Sequence, residues 1–174
     1  MVERTFLRVV MKAIAVLLLL LLGCEATHAR SPTEGSPAPP VEAKLLDGSP
    51  FGPADYAGKV LVLNFWATWC APCRAEMPAL EAFYAKHRAE GLELIAISMD
   101  EPKEEAKVRE VMRAYTFRAA LGKDAKVKGY GRVWRLPLTF VIDRRGVLRK
   151  DGWYGDPGLD AALLEKTVTP LLSP

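Results

Sequence analysis

The stretch VLVLNFWATWCAPCRAEM, residues 60–77, joins a continuous apolar run to a pattern typical of a helix. Residues 60–66 predict a buried strand, and residues 71–89 repeat apolar side chains at helical spacing. Cys70 and Cys73 therefore lie where a strand delivers the chain to the N-terminus of a helix. We interpret this Cys-x-x-Cys pair as a redox centre.

The position of Cys70 predicts that it is the attacking thiol. Only a thiolate attacks a disulfide, and a free cysteine is mostly protonated at neutral pH. Unpaired N–H groups and the helix dipole stabilise a thiolate at a helix N-terminus, and Cys-x-x-Cys sites reach pKa values of about 3.5 to 7.5. Cys73 follows one turn later, so it can resolve the mixed disulfide, and Pro72 suits an early helical position.

Three other interpretations of the cysteine pair stay open. A zinc site would need two more ligands, and the chain offers only Cys24, His28 and His87. Haem attachment requires a histidine directly after the second cysteine, where this chain has Arg74. A static disulfide would close so short a loop that it removes little chain entropy. Redox chemistry is the interpretation that the strand and helix context favours.

The N-terminal segment, residues 1–24, has the pattern of a secretory signal. Basic residues precede an uncharged apolar run, residues 13–22, and the sequence LLGC ends at Cys24. That ending resembles a bacterial lipobox, in which Cys24 would be lipidated and become the mature N-terminus. An ordinary cleavage site at residues 27–29 and an uncleaved N-terminal anchor are the alternatives.

The rest of the chain divides into a tether and one domain. Residues 25–39 are rich in Pro, Ser and Gly and predict a flexible tether, and residues 40–174 are long enough for a single domain with a real core. The net charge of +3 falls once the basic signal is removed, so nothing favours nucleic acid as a partner.

Alternating apolar patterns predict an α/β domain. Strands are expected at residues 60–66 and 92–98, parallel to each other because a helix connects them. The later patterns predict a helix within 103–115, a short helical stretch at 124–130, a hairpin at 138–149 and a closing helix that ends before Pro170.

Three motifs give the chain a resemblance to a known family. They are LNFWATWCAPC at residues 63–73, EMP at residues 76–78 and LPLTFVID at residues 136–143. In this order they resemble the thioredoxin superfamily, and more closely its TlpA/ResA-like extracytoplasmic thiol-disulfide oxidoreductases, over roughly residues 40–172. The resemblance implies a thioredoxin fold, with a central mixed β-sheet flanked by helices, an N-terminal β-hairpin and an inserted helical segment, here expected within residues 100–118.

The resemblance also implies a client-binding surface. Pro137 would be a cis-proline that faces the two sulfurs, and it would present the backbone of Leu136 to an extended client segment. Sequence alone favours a trans proline that opens an edge strand. Trp69 and Pro72 would complete this surface beside the cysteines, with the ring of Trp69 exposed and that of Trp66 more buried.

Glu76 is the candidate proton carrier. It follows Cys73 by three residues, so its carboxyl would lie one helical turn away from that thiol. Thioredoxin has a buried aspartate at the position of Asn64, and this departure makes Glu76 the stronger candidate base. A solvated acid near a helix N-terminus is the other interpretation.

We predict that the protein is a periplasmic or otherwise extracytoplasmic reductase of disulfides in client proteins. We expect it to use no cofactor and no resident metal. By resemblance, the clients are apocytochrome c or the copper-site cysteines of oxidase assembly factors, and a membrane donor of the CcdA/DsbD type resets the dithiol. We expect a monomer that is tethered to the membrane through its N-terminus as a lipoprotein.

Two functions from other classes are the alternatives. A peroxidase of the peroxiredoxin group would have Thr or Ser three residues, and Pro seven residues, before the reactive cysteine, but these positions hold Ala67 and Leu63. A copper-delivery protein of the same superfamily would use Cys-x-x-x-Cys and a distal histidine, but no histidine follows His87. Soft thiolates still bind Cu(I), so copper binding stays open.

Overall fold

A mixed sheet of seven strands lies at the centre of the domain. The computed structural model describes residues 32–155 and 159–173. The strands are β1 (Glu42–Leu45), β2 (Pro50–Phe51), β3 (Val60–Trp66), β4 (Leu92–Ser98), β5 (Arg118–Lys126), β6 (Leu138–Ile142) and β7 (Leu148–Lys150). Their order across the sheet is β2-β1-β5-β4-β3-β6-β7, which confirms the predicted α/β architecture.

Helices flank this sheet. They are α1 (Pro53–Tyr56), α2 (Ala71–His87), α3 (Glu105–Met112), α4 (Ala161–Thr167) and α5 (Thr169–Leu172), with 3-10 turns at Arg88–Glu90, Pro102–Glu104 and Lys128–Tyr130. β3 is parallel to β4 and antiparallel to β6, so α2 forms the crossover between the two parallel strands. The predicted N-terminal hairpin is β1–β2, and the helical segment expected within residues 100–118 is the turn at Pro102–Glu104 together with α3.

Side chains of β3 alternate between two apolar cores. Val60, Val62 and Trp66 pack on the α2 side, whereas Leu61, Leu63 and Phe65 pack on the opposite side. The strand therefore reads as a continuous apolar run because both faces are covered. Asn64 is its one polar residue, and it shares the α2 side with Val62 and Trp66.

One local prediction was wrong in part. Residues 124–126, expected to be helical, end β5, because Ala125 and Lys126 pair with Ala43 and Glu42 of β1; only the turn at Lys128–Tyr130 is helical. The closing helix, α4, ends at Thr167 and therefore before Pro170, as predicted, and a further helical turn, α5, contains Pro170 at its start. Proline fits there because the first helical N–H groups need no intrahelical partner.

An N-terminal strap, residues 33–38, lies along β7. Gly35 N donates to Leu148 O at 2.8 Å, and Leu148 N donates to Ser36 O at 3.0 Å. Glu34 Oε1 accepts from Asp151 N at 2.9 Å. The folded part of the chain thus starts before residue 40, and this part of the expected tether packs on the sheet edge.

The predicted signal, residues 1–24, and the start of the tether lie outside the described residues. Within residues 32–155 and 159–173, no helix combines the length and the apolar character that crossing a bilayer requires.

Candidate active site

Cys70 and Cys73 are joined by a disulfide at the start of α2. Their Cα atoms are 5.3 Å apart and the S–S distance is 1.99 Å. Cys70 is the N-cap residue of the helix, and its Sγ accepts a hydrogen bond from Cys73 N at 3.3 Å. Cys70 is 5% exposed and Cys73 is fully buried, so Cys70 is the sulfur that a partner can reach. The same N–H group would stabilise a Cys70 thiolate once the disulfide is open.

The loop before β6 lies at the same end of the sheet as the disulfide. Phe65 near the end of β3 pairs with Leu138 at the start of β6, so the residues just before Leu138 reach the disulfide end of the sheet. The Leu136–Pro137 bond is cis, as predicted. Leu136 packs against the apolar cluster that contains both cysteines.

The predicted client-contact residues on α2 and its lead-in are on the surface. The ring of Trp69 is 67% exposed and Pro72 is exposed, whereas Trp66 is fully buried. Trp69 can therefore contact a partner directly beside Cys70.

Glu76 is buried and held at both carboxyl oxygens. Asn64 Nδ2 donates to Oε1 at 2.8 Å, and Leu159 N donates to Oε2 at 3.0 Å. The side chain is only 9% exposed. Burial raises the pKa of Glu76 to about 7, although both hydrogen bonds and the positive charge of Lys150 oppose that rise. A carboxyl with this pKa can accept and release a proton at neutral pH.

Asn64 connects Glu76 to the neighbouring strand. Its Nδ2 also donates to Oγ1 of Thr139 at 2.9 Å, so one amide bridges α2 and β6 across β3. All three side chains are buried. From the sequence alone, Asn64 was placed in the strand but Thr139 was not identified. Each is a polar residue inside an apolar strand, and a buried polar group needs a hydrogen-bond partner, so this pattern could have indicated that the two residues pair.

A second buried carboxylate holds the loop that leads to Cys70, and sequence reasoning missed it. Asp100 follows β4, and its oxygens accept from Thr68 N at 2.9 Å and from Thr68 Oγ1 at 2.6 Å. Ser98 Oγ donates to the same carboxylate at 2.7 Å. The carboxyl ends of the parallel strands β3 and β4 meet at one edge of the sheet, which brings Asp100 to Thr68.

The described part of the chain contains no group of three or more His, Cys, Asp or Glu side chains arranged to hold a metal ion. Cys24, the predicted lipidation site, lies outside the described residues.

Known proteins are similar to this chain in sequence and in fold. A family model described as the AhpC/TSA family matches residues 35–151. The thiol-disulfide oxidoreductase ResA of Geobacillus thermodenitrificans (strain NG80-2) is 34% identical over 149 residues, covering 82% of this chain and 86% of that protein. ResA of Geobacillus kaustophilus (strain HTA426) is 34% identical over 116 residues, 67% of each chain.

A solved structure agrees with these relatives. A Chlorobium tepidum protein assigned as the thiol:disulfide interchange protein DsbE superposes with a TM-score of 0.67 at 26% identity, covering 82% of this chain and all of that one. Its fold and the paired cysteines lead to the same conclusion as the sequence relatives. The chain therefore belongs to the AhpC/TSA family, and it is a thioredoxin-fold thiol-disulfide oxidoreductase related to ResA.

Proposed function

We propose that this oxidoreductase works outside the cytoplasm, where it reduces disulfide bonds in client proteins. The observation that carries the proposal is the buried Glu76 carboxyl, one helical turn after Cys73, with a pKa of about 7. The sulfurs themselves lie in apolar surroundings that give a thiolate little hydration. A strongly oxidising disulfide is one whose reduced, thiolate form is stabilised. Because apolar surroundings do not stabilise a thiolate, they favour a low reduction potential for the Cys70–Cys73 couple.

The reaction moves two electrons from the dithiol to the client. The Cys70 thiolate attacks one client sulfur, so the client disulfide breaks, a Cys70–client disulfide forms, and the released client thiolate takes up a proton. Cys73 then gives its proton to the Glu76 carboxylate and attacks the sulfur of Cys70. The Cys70–Cys73 bond forms, and the second client thiolate leaves and is protonated.

The site must be reset by a membrane dithiol of the CcdA/DsbD type, which supplies two electrons and two protons. The pattern of residues 1–24, with Cys24 as the candidate lipid attachment site, supports tethering of the protein at the membrane. The N-terminal strap supports it further, because Glu34 contacts Asp151 just after β7, at the end of the sheet that carries the disulfide. Clients in cytochrome c maturation or copper-site assembly fit this location.

The equilibrium potential of the Cys70–Cys73 couple tests the proposal. The full chain is equilibrated with dithiothreitol or glutathione buffers, and the oxidised fraction is read by thiol alkylation and mass analysis. We expect a potential near or below the value of about −270 mV known for thioredoxin. A value near −120 mV, the oxidising end of the range, would overturn the reductase assignment.

The location needs its own measurement. Reduced protein in intact cells is exposed to a thiol reagent that cannot cross the cytoplasmic membrane, and labelling of Cys70 is followed. We expect labelling without lysis, and with a Cys24→Ser variant we expect the protein to lose its membrane fraction. Labelling that requires lysis would contradict an extracytoplasmic site.

A further inference from the structure

Large apolar side chains that are well exposed cluster at one end of the sheet. Among the described residues they are Trp69, Trp134 and Tyr154, which are 67%, 74% and 74% exposed. A fully solvated aromatic ring forgoes the burial that normally stabilises it, so such residues gathered in one place mark a contact surface.

The strand topology places all three residues at the end of the sheet that carries the disulfide. Trp69 directly precedes Cys70, and Trp134 comes three residues before Pro137 in the loop that enters β6. β7 is antiparallel to β6, so the residues after β7 return to the start of β6. Gly152 shows this return, because a Cβ there would lie 2.7 Å from Thr139 O. Tyr154, two residues later, thus lies at the same end.

Trp134 is held in a fixed orientation despite its exposure. Its ring stacks on that of Trp153, with centroids 5.7 Å apart and planes inclined by 18°. Trp153 is anchored in turn, because its Nε1 donates to Tyr130 O at 2.7 Å. Arg135 braces both rings: its Cζ lies 5.7 Å and 5.8 Å from their centroids, and its Nη2 donates to Gly152 O at 2.7 Å.

The fixed orientation of Trp134 suits its ring to stacking on a side chain of a partner. Trp153 covers one face of the ring, and the high exposure of Trp134 shows that its remaining surface is open to solvent. A rigid, flat, exposed ring is prepared to stack on another planar apolar group with little loss of conformational entropy. A client segment that reaches Leu136 beside the disulfide passes close to Trp134, two residues earlier in the same loop.

We infer that Trp134, braced by Trp153 and Arg135, is a specificity subsite that binds an aromatic side chain next to the reducible cysteine of a client protein. The inference rests on the proposed reduction of protein disulfides and names the clients that this surface selects. The subsite does not change the reaction at Cys70. It increases the fraction of bound client in which the disulfide is positioned for attack by Cys70.

Two disulfide-closed peptides test the subsite. They are identical except for one position beside a cysteine, which is Phe in one peptide and Ala in the other. The reduced full chain is mixed with an excess of each peptide in a single-turnover reaction, and the second-order rate constants for oxidation of the dithiol are compared. Stacking predicts that the Phe peptide reacts roughly three- to ten-fold faster with the wild-type chain.

Variants distinguish binding at Trp134 from a general effect of mutation on the reaction rate. Trp134→Ala should bring the ratio of the two peptides to about one, and Trp134→Phe should restore most of it. Arg113→Ala is the matched control, because Arg113 is exposed and follows α3, at the sheet end opposite the disulfide, so the ratio should stay at its wild-type value. A thermal unfolding curve for each variant checks that the fold is kept.

The outcomes distinguish this inference from the proposed function. A wild-type chain that reduces both peptides equally well, or a Trp134→Ala variant that keeps the full preference, overturns the subsite while the reductase stands. A wild-type chain that reduces neither peptide nor glutathione disulfide overturns the proposed function itself.

Discussion

The side-chain amide of Asn64 donates to Oε1 of Glu76 at 2.8 Å in the interior of the domain, where Glu76 lies one helical turn after Cys73. This contact joins the strand that leads to Cys70 with the helix that begins after it. It orients a buried carboxyl without supplying a positive charge, so the carboxyl is held in place and yet keeps a pKa of about 7. The hydrogen bond orients the carboxyl and lowers its pKa in part, whereas burial is the larger cause and raises the pKa.

Replacing Glu76 with Gln should change the pH dependence of client release. Below pH 7 the wild-type carboxyl is protonated and cannot accept the Cys73 proton, so the rate of the resolving step should rise through about pH 7. In Glu76→Gln the rise should move towards the ordinary thiol pKa of about 8.5, and the step should be about 100-fold slower at pH 7.5. Stopped-flow decay of a preformed Cys70–client disulfide measures it. An unchanged profile would remove Glu76 from the mechanism.

The same substitution should alter the stability of the oxidised protein. The pKa of Glu76 is about 7 in the folded chain and near 4.5 when unfolded, so between these values the folded state binds the extra proton and stability falls as pH rises. The loss across this window should reach about 3 kcal/mol in the wild-type protein and disappear in Glu76→Gln. Urea unfolding between pH 4 and 8 measures the free energy of unfolding.

An exposed glutamate provides the control for that experiment. Glu110 lies on the solvent side of α3, so Glu110→Gln should leave the pH dependence as it is in the wild-type chain. A Glu76→Gln variant that still loses stability between pH 4.5 and 7 would show that another group causes the effect.

Asn64→Asp should raise the pKa of Glu76 further. It places a second carboxylate where the amide now donates, and two carboxyl groups this close cannot both ionise readily. The pH midpoint of the resolving step should therefore move up by about one unit or more. Thr139→Val is the comparison, because it removes the other hydrogen bond of the Asn64 amide without adding charge. A midpoint that falls in Asn64→Asp would contradict this account.

Local signals in the sequence were sufficient for the strand, the helix and the cysteine pair. Continuous apolar character predicted β3, because both of its faces are covered. The cis bond before Pro137 was different: intrinsic preference favours trans, so only the family motif predicted it.

Features that depend on pairing between distant segments were not predictable from one sequence. β5 extends to Lys126 because β1 pairs with it, although Ala125 is the one apolar residue among residues 124–126. The backbone contact of Leu159 with Glu76 and the stack of Trp134 on Trp153 each join segments far apart in the chain. No local pattern encodes such contacts.

Asp100→Ala should weaken both the fold and the placement of Cys70. The substitution leaves the N–H and hydroxyl groups of Thr68 and the hydroxyl of Ser98 without their acceptor in a buried site. Unpaired buried donors cost about 1 to 3 kcal/mol each, and partial relaxation should bring the total loss to about 3 kcal/mol. Because Thr68 lies two residues before Cys70, the loop should also loosen and slow the attack on a client.

Glu101 offers a matched control for Asp100, because it is the next residue and is also acidic. It is exposed and pairs with Lys103 at 2.8 Å. Surface pairs of this kind contribute little, so Glu101→Ala should leave both urea unfolding and the rate of attack near their wild-type values. If Asp100→Ala unfolds at the wild-type urea concentration, the loop before Cys70 is held by its apolar packing. If stability falls while the attack rate per folded molecule is unchanged, Asp100 supports the fold without positioning the thiol.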